Sequence, residues 1–250
     1  MELNTKFMIE TFFDALAGIP VTLKLTLITL LVSAPIAFFM ALGKIEKRKI
    51  AGKLISGYVS FIRGTPVVLQ ILFLYSLLPT LLNYLVKDVL GLSFNVFQLD
   101  TILYAYIVFV LNTTAVLSEV FRSALLTVGH GQMEAALTIG MTKRQAYIRI
   151  IIPQAVVSAL PNICNATIGL LKSTSLAFMM SVQDVTAIAK VKAAYGYNYI
   201  EAYLDICFVY IVLCSAIQLV FKLIERYACA YKKSSRTKGG ALYARNKEYI

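Results

Sequence analysis

The sequence predicts an all-α, polytopic membrane helical bundle with about five transmembrane helices, and three observations carry that prediction. First, 59% of the residues are hydrophobic and 15% charged, with a mean hydropathy of +0.74, whereas a soluble domain is about half apolar and a quarter charged. Second, the apolar residues gather into stretches that reach the roughly 20 residues a helix needs to cross a bilayer core about 30 Å thick. Third, the basic residues behind the net charge of +11 fall in short clusters between those stretches, as charges that set topology do. Clustered in that way, they argue against nucleic acid as a partner. With several spans in these 250 residues, no second, soluble catalytic domain is expected among them.

The apolar stretches run over about 17–43, 54–82, 101–125, 150–172 and 202–225. Residues 1–20 carry Glu2, Glu10 and Asp14 and no basic region ahead of a short apolar core, so no cleavable signal peptide is expected there. The 44–53 link holds Lys44, Lys47, Arg48, Lys49 and Lys53 against Glu46, while the 83–100 link holds Lys87 against Asp88 and Asp100. By the positive-inside rule the first link is cytoplasmic and the second external. The 126–149 link, with Lys143, Arg144 and Arg149, is basic again, as is the tail after Glu225, with Arg226, Lys232, Lys233, Arg236, Lys238, Arg245 and Lys247. Five crossings then place the amino terminus outside and the carboxyl terminus inside.

Between the fourth and fifth stretches, residues 176–182 are apolar but too short to cross and are followed by Asp184, Lys190 and Lys192. The 173–201 segment is therefore expected as a re-entrant or interfacial helix on the external side. Residues 232–240 are polar and expected to be disordered. Cys164, Cys207, Cys214 and Cys229 lack metal-ligand spacing, and His130, beside Gly129 and Gly131, has no second histidine to join it, so no metal site is expected.

The 126–149 link carries the most specific pattern. Glu134-Ala135-Ala136 opens a short helix with Ala135, Ala136 and Ile139 on an apolar side, Gly140 ends it as a C-cap, and a second helix enters the membrane through Pro153. Small residues on a loop held between two spans suit a groove on a partner protein. Glu-Ala-Ala, three residues, Gly140, nine residues, Ile150, one residue, Ile152 and Pro153 together resemble the EAA loop of ABC importer permeases, and every fixed position of that loop is met. In that family the loop's coupling helix docks in a cleft of a cytosolic ATPase. The resemblance thus implies a coupling role for Glu134, Ala135, Ala136, Gly140 and Pro153.

The chain has no phosphate-binding loop of its own. The nearest candidate, Gly52-Lys53-Leu54, lacks the hydroxyl residue after the lysine and has Lys47 where the first glycine belongs. No catalytic residue and no cofactor are expected in this chain, with ATP and Mg held by a partner ATPase.

Charges inside spans are costly, by roughly 2.5 to 3.5 kcal/mol on insertion scales, and mark functional positions. Arg63-Gly64-Thr65-Pro66 falls about nine residues into the second stretch, where Gly64 and Pro66 loosen the helix and free backbone groups. This run, with 67–78 and Pro79 after it, resembles the Arg-Gly-Thr-Pro segment of the polar amino acid permease family. Glu119 and Arg122 stand i, i+3 on one side of the third span. They can meet the ammonium and carboxylate of an amino acid, or neutralise one another near the cytoplasmic end. The run 118–122 resembles the family's Ala-Glu-Ile-Phe-Arg segment, although Ser123 and Ala124 replace two glycines. Lys172-Ser173-Thr174-Ser175-Leu176 closes the fourth span and resembles the family's Lys-Asp-Thr-Ser-Leu signature, with Ser173 in place of the acid. Lys172 either serves the substrate or snorkels to the external interface, with the hydroxyls capping the next helix.

The resemblance covers residues 17–227 and implies a type I ABC importer permease fold, as one permease domain over 1–230 (coupling loop about 128–150) with a basic cytoplasmic tail over 231–250. It implies a bacterial inner-membrane subunit that forms the path for an amino acid, of the cystine or another polar type. Arg63, Thr65, Glu119, Arg122, Lys172, Thr174 and Ser175 would line that path. The implied partners are two ATPase subunits, a second permease copy or sister permease, an extracytoplasmic binding protein and the membrane lipid. The alternative, a secondary transporter or channel for small polar solutes, usually shows more spans or an inverted repeat, and none is apparent. A membrane-embedded enzyme would need a clustered acid, base or metal constellation that one histidine and scattered acids do not supply.

Overall fold

The chain enters its fold through α1 (Thr5–Leu16), whose first turn is capped by the Asn4 side chain accepting from Phe7 N at 3.1 Å. The computed structural model describes residues 3–46, 50–94 and 96–247, leaving aside the side chains of His130 and of 229–247. The Lys47-Arg48-Lys49 run, the His130 and Cys229 side chains and the basic tail side chains that entered the topology reading lie outside this description. Among the described residues, five helices are long and apolar enough to cross a membrane: Ile19–Ile45, Val67–Val89, Thr101–Leu126, Lys143–Thr174 and Tyr199–Ala228.

Helix α2 (Ile19–Ile45) shows how the bundle closes. Thr22, Thr26, Thr29, Ser33, Ala37 and Ala41 are its buried residues with Leu25, and their spacing of three and four places them on one face. Side chains this small let a neighbouring backbone come close, which is how helices associate where lipid is as apolar as leucine. Ser33 Oγ donates across to Val110 O in the third crossing at 3.3 Å. The other face, Leu23, Leu27, Leu31 and Phe39, is exposed and suits lipid.

The second crossing is a correction to the single span expected over 54–82. It divides at Thr65 into α3 (Ala51–Gly64) and α4 (Val67–Tyr84, continued by a wide π turn Leu85–Val89). Thr65 is extended (φ −114°, ψ 143°), as a residue ahead of proline must be, and Pro66 cannot donate the bond that would continue the helix. Both pieces follow α5 (Thr101–Leu126) in turn: Val59 and Ile62 of α3 pack with Ala115, and Ile71 of α4 packs with Val108 and Ala105. Helix α4 with its π turn, Val67–Val89, is by itself long and apolar enough to cross, and α3 extends the same path along α5, with the break at Thr65 falling opposite the middle of α5.

Next come α6 (His130–Thr138), α7 (Lys143–Ala146) and α8 (Ile152–Thr174), the last two joined by a π turn, Tyr147–Ile151. The fourth crossing thus starts at Lys143, earlier than the 150 expected, because Thr142 and Gln145 form a reciprocal capping box. The wide turn just ahead of Pro153 makes room for a ring that would otherwise crowd the carbonyl four residues back.

The 173–201 segment contains a short 3-10 turn, Ala177–Met180, and α9 (Val185–Gly196). Asp184 caps α9 by accepting from Ala187 N at 2.9 Å and also accepts from Tyr210 OH at 3.3 Å. Burial pushes its carboxyl above the usual range, and these donors pull it partly back. Helix α9 packs with α1 and with α10 (Tyr199–Lys247) around Ala15, Val185, Ala189, Ala202 and Ile206. Lys192 ties this cap to Asp14 of α1 through a salt bridge. Residues 232–240, expected to be disordered, are helical as part of α10.

Candidate translocation groove and coupling loop

A groove of about 450 Å³ opens between α5 and α8. On α8 it is lined by Asn162, Asn165, Gly169 and Ser173, a spacing of three, four and four that keeps them on one helical face; α5 adds Asn112, Thr113 and Val116. Asn162 and Asn165 stand near the middle of α8 and are exposed in the single chain. Amides at that depth are costly against lipid, so this face belongs to a polar path or a protein neighbour.

The break at Thr65 is anchored to the same groove. Gln70, 7% exposed, brings its Nε2 within 2.7 Å of Ile62 O, 2.7 Å of Thr65 Oγ1 and 3.0 Å of Thr65 O, and its Oε1 accepts from Asn112 Nδ2 at 3.0 Å. One buried amide thus serves the carbonyls that the broken helix leaves without partners and fixes them to the groove wall. Replacing Gln70 with leucine leaves these acceptors unsatisfied, and a loss of about 1–3 kcal/mol is expected. Chemical or thermal unfolding of the purified chain measures it, and no change would mean that the break holds itself open. Arg63, on the last turn of α3, is exposed at this level.

Glu119 and Arg122 do come together, and a third group joins them. Glu119 Oε1 accepts from Lys44 Nζ of α2 at 2.5 Å, and its Oε2 accepts from Arg122 Nε at 2.8 Å, with Arg122 Nη2 also at 2.8 Å. Both carboxylate oxygens are therefore engaged within the protein, at the ends of α2 and α5 nearest the coupling loop. Thr174 is fully buried and donates to Leu171 O at 2.6 Å, while Ser175 donates to Lys172 O at 2.7 Å and Lys172 itself is exposed. None of the seven residues expected along the path lines the α5–α8 groove; their near neighbour Ser173 does. The sequence reading missed Gln70, Asn112 and Asn165, and took Lys44 only as a charge that sets topology rather than as a partner of Glu119. The three-four-four run of amide, glycine and hydroxyl along α8 was the signal within reach.

In the coupling loop, Gly140 adopts φ +82°, with Gly140 N donating to Leu137 O at 3.0 Å and Met141 N to Ala136 O at 3.1 Å. These are the two bonds of a Schellman C-cap, which needs a residue without a Cβ penalty in the left-handed region. Ala136 is buried, whereas Glu134, Ala135 and Ile139 are exposed, Ile139 at 76%. The small-residue side expected over Ala135, Ala136 and Ile139 is thus divided: Ala136 seats the helix, and Ala135 and Ile139 remain for another surface. Pro153 opens α8, after the π turn.

Among the described residues, five helices able to cross a membrane, the second preceded by a break that is held to a polar groove, define a helical membrane permease. The chain belongs to the family described as the binding-protein-dependent transport system inner membrane component, which matches residues 33–227. It is 36% identical over 241 residues to a probable amino-acid permease protein, YxeN, of Bacillus subtilis (strain 168), covering 94% of this chain and 99% of that one. It is 32% identical to the L-cystine transport system permease protein TcyL of the same organism, over 88% of this chain and 89% of that one. Among solved structures, an amino acid ABC transporter with histidines aligns with a TM-score of 0.75 and 28% identity, covering 91% of this chain and all of that chain. The fold is also that of the MetNI methionine ABC transporter in an inward-facing form, at a TM-score of 0.68 and 16% identity over 86% of this chain and 96% of that one. The chain is accordingly a multi-pass membrane permease component of an ABC importer and not an enzyme.

Proposed function

We propose that the chain forms the translocation path of an ATP-driven importer for polar amino acids, with cystine as the preferred substrate class. The observation that carries this reading is the groove of neutral amides between α5 and α8, tied through Asn112 and Gln70 to a helix break that bears the exposed Arg63. A zwitterion needs one cation for its carboxylate and several uncharged acceptors for its ammonium; the groove's asparagine carbonyls offer the acceptors, and Arg63, exposed at the break though outside the groove wall, offers the cation. Relatives named as amino-acid and L-cystine permeases support the substrate class. Thr65 shapes the break, Lys172, Thr174 and Ser175 stand at the outer end of the path, and Glu119, Arg122 and Lys44 brace its inner end.

In this reading the amino terminus is external and the carboxyl terminus cytoplasmic, in the bacterial inner membrane. Two copies of an ATPase subunit hold ATP and Mg and dock on Glu134, Ala135, Ala136 and Gly140, and Pro153 begins the helix that carries their motion inward. A second permease copy or a sister permease completes the path, and an extracytoplasmic binding protein delivers the substrate. In vesicles holding the full assembly, radiolabelled cystine is expected to accumulate only with ATP, the ATPase and the binding protein present; uptake driven by an ion gradient alone would overturn this in favour of a secondary transporter. Glu134→Lys, on an exposed helix face, is expected to abolish both uptake and co-purification with the ATPase while leaving membrane insertion intact. Retention of both would remove the loop from the coupling path.

A further inference from the structure

A second groove, of about 800 Å³, shares no lining residue with the polar path and lies between the end of α2 and the start of the fourth crossing, beside Met133 of the coupling loop. Its floor is apolar: Phe39 and Leu42 from α2, Ile148 and Ile152 from the start of the fourth crossing. Its rim is charged, with Lys143 and Arg144 on one side and Glu46 on the other. Phe39 is 71% exposed and continues the exposed face of Leu23, Leu27 and Leu31, whereas Ile148, 54% exposed, begins a row with Ile152 and Val156 at spacings of four. Two faces suited to lipid therefore converge in the groove, and two cations stand at its end nearest the coupling loop.

Apolar walls that open to lipid and end in paired cations match one kind of occupant. Acyl chains fill the space between two helices, and a phosphate accepts hydrogen bonds from an ammonium and a guanidinium. The rim sets two cations, Lys143 and Arg144, against the one carboxylate of Glu46, and this net positive charge favours a headgroup with net negative charge. We propose that this groove holds an anionic phospholipid, its chains between α2 and α8 and its phosphate on Lys143 and Arg144. Placing that lipid in the cytoplasmic leaflet rests on the orientation proposed above. The site adjoins the coupling loop, since Lys143 and Arg144 follow Gly140 by three and four residues. A bound lipid there would stiffen the junction between loop and fourth crossing.

The test uses the full chain, purified and delipidated in detergent, with dioleoylphosphatidylglycerol or dioleoylphosphatidylcholine added and retention read by native mass spectrometry. Phosphatidylglycerol is expected to be retained in preference, and Lys143→Ala with Arg144→Ala to weaken that retention by roughly five-fold for each charge removed. Lys143→Arg with Arg144→Lys should retain it. Ile148→Trp, which fills the groove without touching the charges, should lower retention of both lipids. Equal retention of the two lipids, unchanged in the alanine double variant, overturns the proposal. It is also overturned if the double variant loses the ATPase in lipid-free detergent while holding phosphatidylglycerol as before, for the basic pair then belongs to protein docking. Labelling of the carboxyl tail in sealed vesicles reads the orientation separately: a tail reached from outside would sink the leaflet assignment and leave lipid retention to be judged by itself.

Discussion

Gly18→Ala is expected to unseat the α1–α9 cap and to destabilise the protein by roughly 3 kcal/mol, the upper end of what overpacking costs. A Cβ on Gly18 would lie 2.4 Å from Val185 N, 2.5 Å from Asp184 C and 2.7 Å from Val185 Cα. These are backbone atoms, so no side chain can swing aside to admit it. Nor can that backbone retreat, because Asp184 holds Ala187 N and receives Tyr210 OH, while Val185 is wholly buried among Ala15, Ala189 and Ala202. The shift must go into α1, where Lys192 with Asp14 and Asn4 N with Glu201 Oε1 at 3.0 Å would be drawn apart. The measurement is the thermal unfolding midpoint of the detergent-purified chain, together with protease protection of α1. Wild-type values for both would mean that Gly18 does not press on α9.

Glu119→Gln is expected to abolish uptake and to lower stability by about 2 kcal/mol, less than the 3–5 kcal/mol of a fully buried pair because Arg122 is partly exposed. The neutral amide keeps the shape but gives Lys44 and Arg122 no counter-charge, and with side chains 17% and 36% exposed the two cations are left facing one another in a poorly hydrated site. Lys44→Met in the same chain should restore part of the stability, since it removes one of the stranded cations. The expected signature is a lowered melting temperature with loss of transport. Loss of transport at unchanged melting temperature, with a raised KM in Glu119→Asp, would instead place the carboxylate against the substrate.

How far the sequence could be read follows from the range of each interaction. Helix ends set by neighbours in the chain were legible: Gly140 as a C-cap, and the loosening around Gly64 and Pro66, both depend on residues a few positions away. The early start of the fourth crossing at Lys143 had a local signal as well, in Thr142 and Gln145, which the apolar pattern masked. Partnerships across the chain were not legible. Lys44 and Glu119 lie 75 positions apart, and Gln70 and Asn112 lie 42 apart, and nothing in either neighbourhood names the other. For that reason Glu119 read as a group with one partner and Gln70 as an unremarked polar residue in an apolar run.

By itself the sequence determined that this chain is a multi-pass membrane protein, that its crossings are helices, five of them among the described residues, and that a small-residue helix with a glycine cap stands between the third and fourth. Those properties follow from composition and from bonds within a few residues, and lipid leaves the backbone no other choice. Only the tertiary structure decided which polar side chains share a wall and which are consumed by one another. It put the asparagines of α5 and α8 on one groove, paired Glu119 with two cations and pressed Gly18 against α9. The physical reason is that a helix presents every residue type around its circumference, and packing against a distant helix selects the face that turns inward.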